Sequence, residues 1–204
     1  MIIDKFPTYI TPTMDTFTLQ RTIVAMNAVM LSVTCLPMQS NVGTLALLGW
    51  QLPMYYTFMS LWILLFQEEQ WVSSCLCIVI ALLLNMLLYL GLQVGLRRPG
   101  LSTGERFMVH IPMSVNLAWT SYLVMLTISV YLKATDWYGF GLHHELALFL
   151  LVVYVALAFT LLMIRNDPVY AALVVMILLN IAGAHWPEVL AIPDVRVIEQ
   201  GVHT

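Results

Sequence analysis

The sequence predicts an all-α protein, a polytopic bundle of about six transmembrane helices. Apolar residues make up 61% of its 204 residues and charged residues only 9%, whereas soluble domains carry about 45–50% and about 25%. The charged residues are also unevenly spaced, since none occurs between Arg21 and Glu68 or in the stretches 70–96, 107–132, 146–164 and 169–187. A bilayer crossing takes about 17–25 residues. Each of the four stretches therefore fits one helix, and the interval between Arg21 and Glu68 fits two.

The gaps between charges set the expected helix bounds. We expect one transmembrane domain, 19–187, flanked by an N-terminal tail, 1–18, and a C-terminal tail, 188–204. Its helices should cover about 19–37, 43–67, 71–96, 106–132, 144–164 and 168–187. A β-barrel would need strands that alternate apolar and polar residues, and the uninterrupted apolar run 77–84 does not alternate.

Several functional classes are excluded or disfavoured by composition and motifs. The formal charge of −3 gives no reason to expect a nucleic-acid partner. No acid and no lysine lies well inside an expected span, which disfavours an ion-coupled pump. No hydrolase, nucleotide-binding or zinc motif occurs, and we expect no base near Ser114, Ser121 or Ser129. We therefore expect no enzymatic activity, no cofactor and no metal.

Four asparagines at membrane depth are the main polar signal. Asn27, Asn85, Asn116 and Asn180 each fall in a different expected span. An amide in hydrocarbon needs hydrogen-bond partners, so these residues are expected to join helices; a polar ligand pocket is the alternative. Small residues allow close helix approach, and we expect Gly91, Gly95 and Gly183 to mark such contacts.

Histidines suggest one cofactor alternative. His144 and His185 lie near the same expected membrane surface. Two imidazoles facing one iron would hold a haem, and one imidazole would hold a pigment. The competing interpretation is that both are interfacial side chains that bond to lipid or backbone.

Two stretches carry a family resemblance. Residues 101–119 contain E-R followed by V-x-I-P-M-S-x-x-L-A-W, and residues 165–175 begin R-x-D-x-x-Y-A. Over roughly 96–185 the chain resembles distant relatives of the tryptophan-rich sensory protein/translocator protein (TspO-like) family. The resemblance implies a helical membrane protein that binds tetrapyrroles, sterols or similar apolar ligands, with Pro112, Asn116 and Trp119 in the ligand-facing group. The chain lacks the W-x-P-P signature of the core family, whose members have five spans.

Two hypotheses about function remain open. In the first, the protein is a non-catalytic accessory subunit of a respiratory or photosynthetic membrane complex, with its tails lying on neighbouring subunits and lipid. In the second, it is a stand-alone binder or translocator of an apolar ligand such as a tetrapyrrole or sterol. The expected partners are the lipid bilayer, other membrane subunits, and bound lipid or another apolar ligand. We expect an organellar membrane, the mitochondrial inner membrane ahead of the plastid. Residues 1–19 have neither the apolar region of a secretory signal nor the Arg-rich character of a transit peptide, so organellar targeting would be internal or would use a presequence that has been removed.

Overall fold

The computed structural model describes residues 8, 10, 15–34, 49–96, 103–135 and 143–190. These residues form six α-helices and contain no strand, which confirms the predicted fold class. In chain order the helices are α1 (Asp15–Thr34), α2 (Gln51–Gln67), α3 (Trp71–Leu96), α4 (Thr103–Ala134), α5 (His143–Arg165) and α6 (Pro168–Leu190).

The helix ends lie within four residues of the expected bounds except at the start of α2. We expected that helix to begin near residue 43, but it begins at Gln51 after a turn formed by Gly49 and Trp50, where Gly49 has a φ of 43°. Pro53 therefore lies in the first turn of α2. Backbone N–H groups there have no partner within the helix, so a proline costs no helical hydrogen bond. Residues 35–48, with the expected turn after α1, lie outside the described residues.

Three described helices are long and apolar enough to cross a membrane. They are Trp71–Gly91 in α3, His110–Ala134 in α4 and Glu145–Arg165 in α5, and Pro168–Ala184 in α6 is a shorter apolar segment. Large apolar side chains also cover the outer surface of the bundle, for example Phe149 and Phe159, which are 61% and 58% exposed. Such a surface suits lipid rather than water, so the six helices form a membrane bundle.

Helix α4 lies at the centre of this bundle. It packs against α1, α3, α5 and α6, and 78% of its membrane-spanning window is buried inside the protein. Each of the other five helices also supplies a side chain that hydrogen-bonds to α4. These side chains are Asn27 of α1, Tyr55 and Trp62 of α2, Asn85 of α3, Tyr154 of α5 and Tyr170 of α6.

Two short turns use residues with positive φ. Glu69, with a φ of 57°, lies in the turn after α2, and the backbone N–H of Gln70 donates to the carbonyl of Leu65. Asn166, with a φ of 52°, directly follows α5, and its N–H donates to the carbonyl of Leu162. Asparagine tolerates this left-handed conformation better than most residues. The second turn leaves only Asn166 and Asp167 between α5 and α6, which fixes where α6 begins.

Part of the N-terminal segment enters the bundle. We expected residues 1–18 to form a tail separate from the helices, but α1 begins at Asp15, and Thr8 and Ile10 are 8% and 0% exposed. The hydroxyl of Tyr122 in α4 donates to the carbonyl oxygen of Ile10 at 3.1 Å. Non-helical backbone at membrane depth persists only where protein covers it, so these two residues belong to the core.

The expected role of two glycines is wrong. A Cβ placed on Gly91 or on Gly183 would meet no atom within 4 Å, so neither glycine marks a close approach of two helices. Gly91 and Gly183 are instead exposed on the surface of the bundle. The side-chain environment of Gly95 lies outside the described residues.

Candidate functional site

The most polar corner of the bundle forms around Asp167, where α6 begins. Asp167 is fully buried, and its Oδ1 accepts hydrogen bonds from the backbone N–H groups of Val169 and Tyr170, both at 3.1 Å. The first N–H groups of a helix have no partner within it, and an aspartate placed before them satisfies them as an N-cap. Pro168, the first helical residue, suits this position because it has no N–H to satisfy.

The other carboxylate oxygen of Asp167 joins three helices. Its Oδ2 accepts a hydrogen bond from the Ser114 hydroxyl in α4 at 2.6 Å and from the Tyr89 hydroxyl in α3 at 2.7 Å. His110, one turn before Ser114, places its Nε2 3.9 Å from the same oxygen and its Nδ1 3.3 Å from the Ser114 hydroxyl. A buried carboxylate is costly unless donors surround it, and Asp167 has four of them.

The partners of Asp167 were not found from the sequence. Ser114 lies 53 residues away and Tyr89 lies 78 residues away, so no local pattern connects them to the carboxylate. No base was expected near Ser114, whereas the structure places a carboxylate and an imidazole beside it. The signal that could have suggested this corner is His110 and Ser114 at a spacing of four, which puts both on one face of α4.

A groove lies directly beside the Asp167 corner, between α4 and α6. Its volume is about 410 Å³, and it is lined by Val115, Pro168, Val169, Ala172, Leu173 and Met176, all of them apolar. Pro168, Ala172 and Met176 are exposed, so the groove opens sideways toward lipid. Val115 follows Ser114 and Pro168 follows Asp167, so the bond between Ser114 and Asp167 holds the two walls together at this end of the groove.

The identity of the family follows from a comparison with family models. A model described as TSPO-like protein matches residues 1–199. The chain belongs to the TSPO-like protein family. This confirms the resemblance seen in the sequence and extends it from roughly 96–185 to almost the whole chain. No curated protein matches the chain, and no solved structure matches it.

Two of the expected polar residues pair across the TSPO-like bundle. Asn27 in α1 donates to the Oδ1 of Asn116 in α4 at 2.9 Å, and Asn116 donates to the Oδ1 of Asn27 at 2.7 Å. Both side chains are buried, at 3% and 2% exposure. This reciprocal amide pair is the helix-to-helix bonding that the asparagine pattern predicts.

Asn85 belongs to a second polar cluster one turn farther along α4. The Thr120 hydroxyl donates to the carbonyl oxygen of Asn116 and accepts a hydrogen bond from the Asn85 amide at 3.2 Å. Its single proton is used in this way, so the Tyr55 hydroxyl, 3.0 Å away, must be the donor of their shared hydrogen bond. Thr120 therefore connects α2, α3 and α4. Asn180, by contrast, donates to the carbonyl of Met176 within α6.

The three residues expected to face a ligand all point into the protein. Pro112, Asn116 and Trp119 are buried on α4, and none of them lines the groove. The Trp119 ring packs against Tyr122 with a centroid distance of 5.4 Å, and its Nε1 finds no hydrogen-bond partner among the described residues. Val115, which the resemblance did not single out, is the α4 residue that lines the groove.

The haem alternative falls outside the described side chains. The backbones of His144 and His185 belong to α5 and α6, and the placement of their imidazoles is not described. Within the described residues, no three His, Cys, Asp or Glu side chains come together. The expected absence of a cofactor therefore stays a prediction.

Proposed function

We propose that this TSPO-like protein is a non-catalytic integral membrane protein that binds an apolar molecule in the groove between α4 and α6. The observation that carries the proposal is the groove itself, because every side chain that lines it is apolar. Its volume of about 410 Å³ lies within the range of about 300–1,000 Å³ that is usual for small-molecule sites. Family membership supports the same assignment, since the resemblance implies tetrapyrroles, sterols or similar apolar ligands.

The geometry around Ser114 supports a role without catalysis. In a hydrolytic triad, histidine lies between the serine and the acid, and it takes the serine proton. Here the Ser114 hydroxyl donates directly to Asp167 at 2.6 Å and is fully buried. The Asp167 carboxylate also accepts hydrogen bonds from the first backbone N–H groups of α6 and from the Tyr89 hydroxyl. This arrangement holds helices together and leaves the Ser114 hydroxyl closed to a substrate.

The test fills the groove and asks whether a co-purified molecule is lost. Ala172 is exposed and lines the groove, so Ala172→Phe should block it without disturbing the buried core. Ala182 is an exposed alanine of α6 that does not line the groove, so Ala182→Phe is the matched control. Each variant is purified in mild detergent, and small molecules extracted from it are measured by mass spectrometry.

The expected result is one molecular species that accompanies the wild type and the Ala182→Phe variant but is depleted in Ala172→Phe. Equal amounts in all three proteins would contradict binding in this groove. Absorption spectra of the same samples test the haem alternative, because a Soret band lost on His144→Ala or His185→Ala would assign a cofactor.

An accessory-subunit role is the second candidate, and the outer face of α5 is the surface on which a neighbouring subunit would pack. Only 22% of the membrane-spanning window of α5 is buried inside this chain. Lipid or a neighbouring helix could cover such a face. Blue-native electrophoresis of organellar membranes distinguishes a lipid-covered monomer from a complex subunit: migration near 23.1 kDa plus detergent would contradict the subunit role.

Immunodetection in fractionated mitochondria and plastids tests the expected organellar location.

A further inference from the structure

The groove begins close to a basic residue, Arg165. Arg165 is the last residue of α5, three positions before Pro168, which lines the groove. Among the described residues no carboxylate forms an ion pair with Arg165. The acid closest to it in sequence, Asp167, is fully buried and already accepts four hydrogen bonds. Arg165 therefore offers a guanidinium at the membrane boundary to a partner outside the chain.

The sequence adds positive charge at the same end. Tyr89, Ser114 and Asp167 meet at one point, so the end of α3 and the beginnings of α4 and α6 lie at the same end of the bundle. Around these helix ends the sequence carries four arginines, at 97, 98, 106 and 165, against two acids, at 105 and 167. One of these acids is the buried Asp167, so in the sequence basic residues outnumber the remaining acid beside these helix ends.

We propose that the molecule in the groove is an anionic phospholipid of the bilayer, with one acyl chain against α4 and α6 and its phosphate at Arg165. This rests on the proposed function, and it names the class of ligand. The guanidinium of arginine binds phosphate through two parallel hydrogen bonds. From Pro168 to Met176 the groove extends about 12 Å along α6 at about 1.5 Å per residue, so it holds the part of an acyl chain nearest the headgroup.

A phospholipid fits the groove better than a sterol does for two reasons. A sterol hydroxyl carries no charge and gains little from a guanidinium, whereas an anionic headgroup gains from every basic residue close to it. A bilayer lipid also arrives with its phosphate at the height of the interface and its chains in the hydrocarbon. These are the relative positions of Arg165 and the apolar groove.

The experiment measures lipid binding to delipidated, full-length protein by native mass spectrometry. Four probes are added separately: phosphatidylglycerol, phosphatidylcholine, cholesterol and oleate. The proteins are the wild type, Arg165→Gln, Arg165→Lys, Ala172→Phe and Ala182→Phe. Thermal unfolding of each variant in the same detergent shows that it is folded, and Arg165 at a helix end is not part of the buried core.

We expect phosphatidylglycerol to bind the wild type more tightly than phosphatidylcholine does. Arg165→Gln should weaken phosphatidylglycerol about fivefold, the factor that corresponds to about 1 kcal/mol for one basic residue near an anionic lipid. The affinity of Arg165→Lys for phosphatidylglycerol should lie between those of the wild type and Arg165→Gln. Lysine keeps the positive charge but lacks the two parallel hydrogen bonds of the guanidinium. Ala172→Phe should weaken both phospholipids, and Ala182→Phe should weaken neither.

The other outcomes separate this inference from the proposed function. Preferential binding of cholesterol, lost on Ala172→Phe but unchanged on Arg165→Gln, would overturn the phospholipid and keep the groove. Oleate binding as tightly as phosphatidylglycerol would assign the site to a free fatty acid instead. If Ala172→Phe changed the binding of no probe, the groove would not be a binding site and both proposals would fail.

Discussion

Replacing Asp167 should be among the most destabilising single substitutions in the chain. Asp167→Ala removes the N-cap of α6 and leaves the hydroxyls of Ser114 and Tyr89 buried without their acceptor. A lost cap costs about 1 kcal/mol, and each of two hydrogen bonds to a charged group costs about 1.5 kcal/mol, which together give about 4 kcal/mol. Asp167→Asn keeps an oxygen for the cap but replaces the second acceptor by an amide, so we expect roughly half of that loss.

The assay is thermal unfolding in detergent micelles, followed by tryptophan fluorescence. For a chain of this size a loss of about 4 kcal/mol corresponds to a Tm lowered by about 8–16 °C. Glu68→Ala is the control, because Glu68 is an exposed acid at the end of α2 and surface changes usually stay within about 0.5 kcal/mol. If Asp167→Ala lowered the Tm no more than Glu68→Ala does, Asp167 would not hold three helices together.

Three further predictions use the same assay. Asn27→Ala and Asn116→Ala should each destabilise, and the double variant should cost less than their sum, with a coupling of about 0.6–1.7 kcal/mol; strict additivity would mean that the amides are not paired. Thr120→Val should cost about 2 kcal/mol because Tyr55 and Asn85 lose their acceptor, whereas Thr160→Val, which removes only an exposed bond to its own helix, should change the Tm little. Asn166→Gly should be tolerated, but Asn166→Val should cost about 1–2 kcal/mol because valine resists positive φ; equal stability of the two would contradict the turn geometry.

The helices were largely predictable because charged residues are excluded from lipid. The charge-free stretch 70–96 contains the whole of α3, Trp71–Leu96, and α5 ends at Arg165, the first charged residue after its apolar run. The start of α2 was not predictable in the same way, since no charged residue occurs between Arg21 and Glu68 to mark it. Gly49 supplies the turn there through its positive φ, a signal that an isolated glycine gives only weakly.

The candidate site was predictable only in part, because its residues meet through tertiary packing. An asparagine inside an apolar stretch indicates that its amide needs a hydrogen-bond partner. The sequence does not indicate that Asn116 pairs with Asn27 rather than with Asn85. The pair Asp167-Pro168 is typical of a helix N-terminus, but the second role of Asp167 depends on hydroxyl groups from two other helices. The groove is harder still, since it is a gap between side chains and leaves no polar residue to mark it.

Which helix lies at the centre could have been inferred from composition. Of the three helices long enough to span the membrane, α4 has the lowest mean hydropathy and is 78% buried, α3 is intermediate at 39%, and α5 has the highest and is 22% buried. This order is the reverse of that expected in water, where the most apolar helix would be the most buried. In lipid an apolar face gains little by leaving hydrocarbon, whereas amides and hydroxyls gain hydrogen bonds by meeting other helices. Hydrogen bonds to the polar groups of α4 therefore hold the other helices around it. The groove is placed by the same bonds, because Ser114 and Asp167 hold its two walls together at one end.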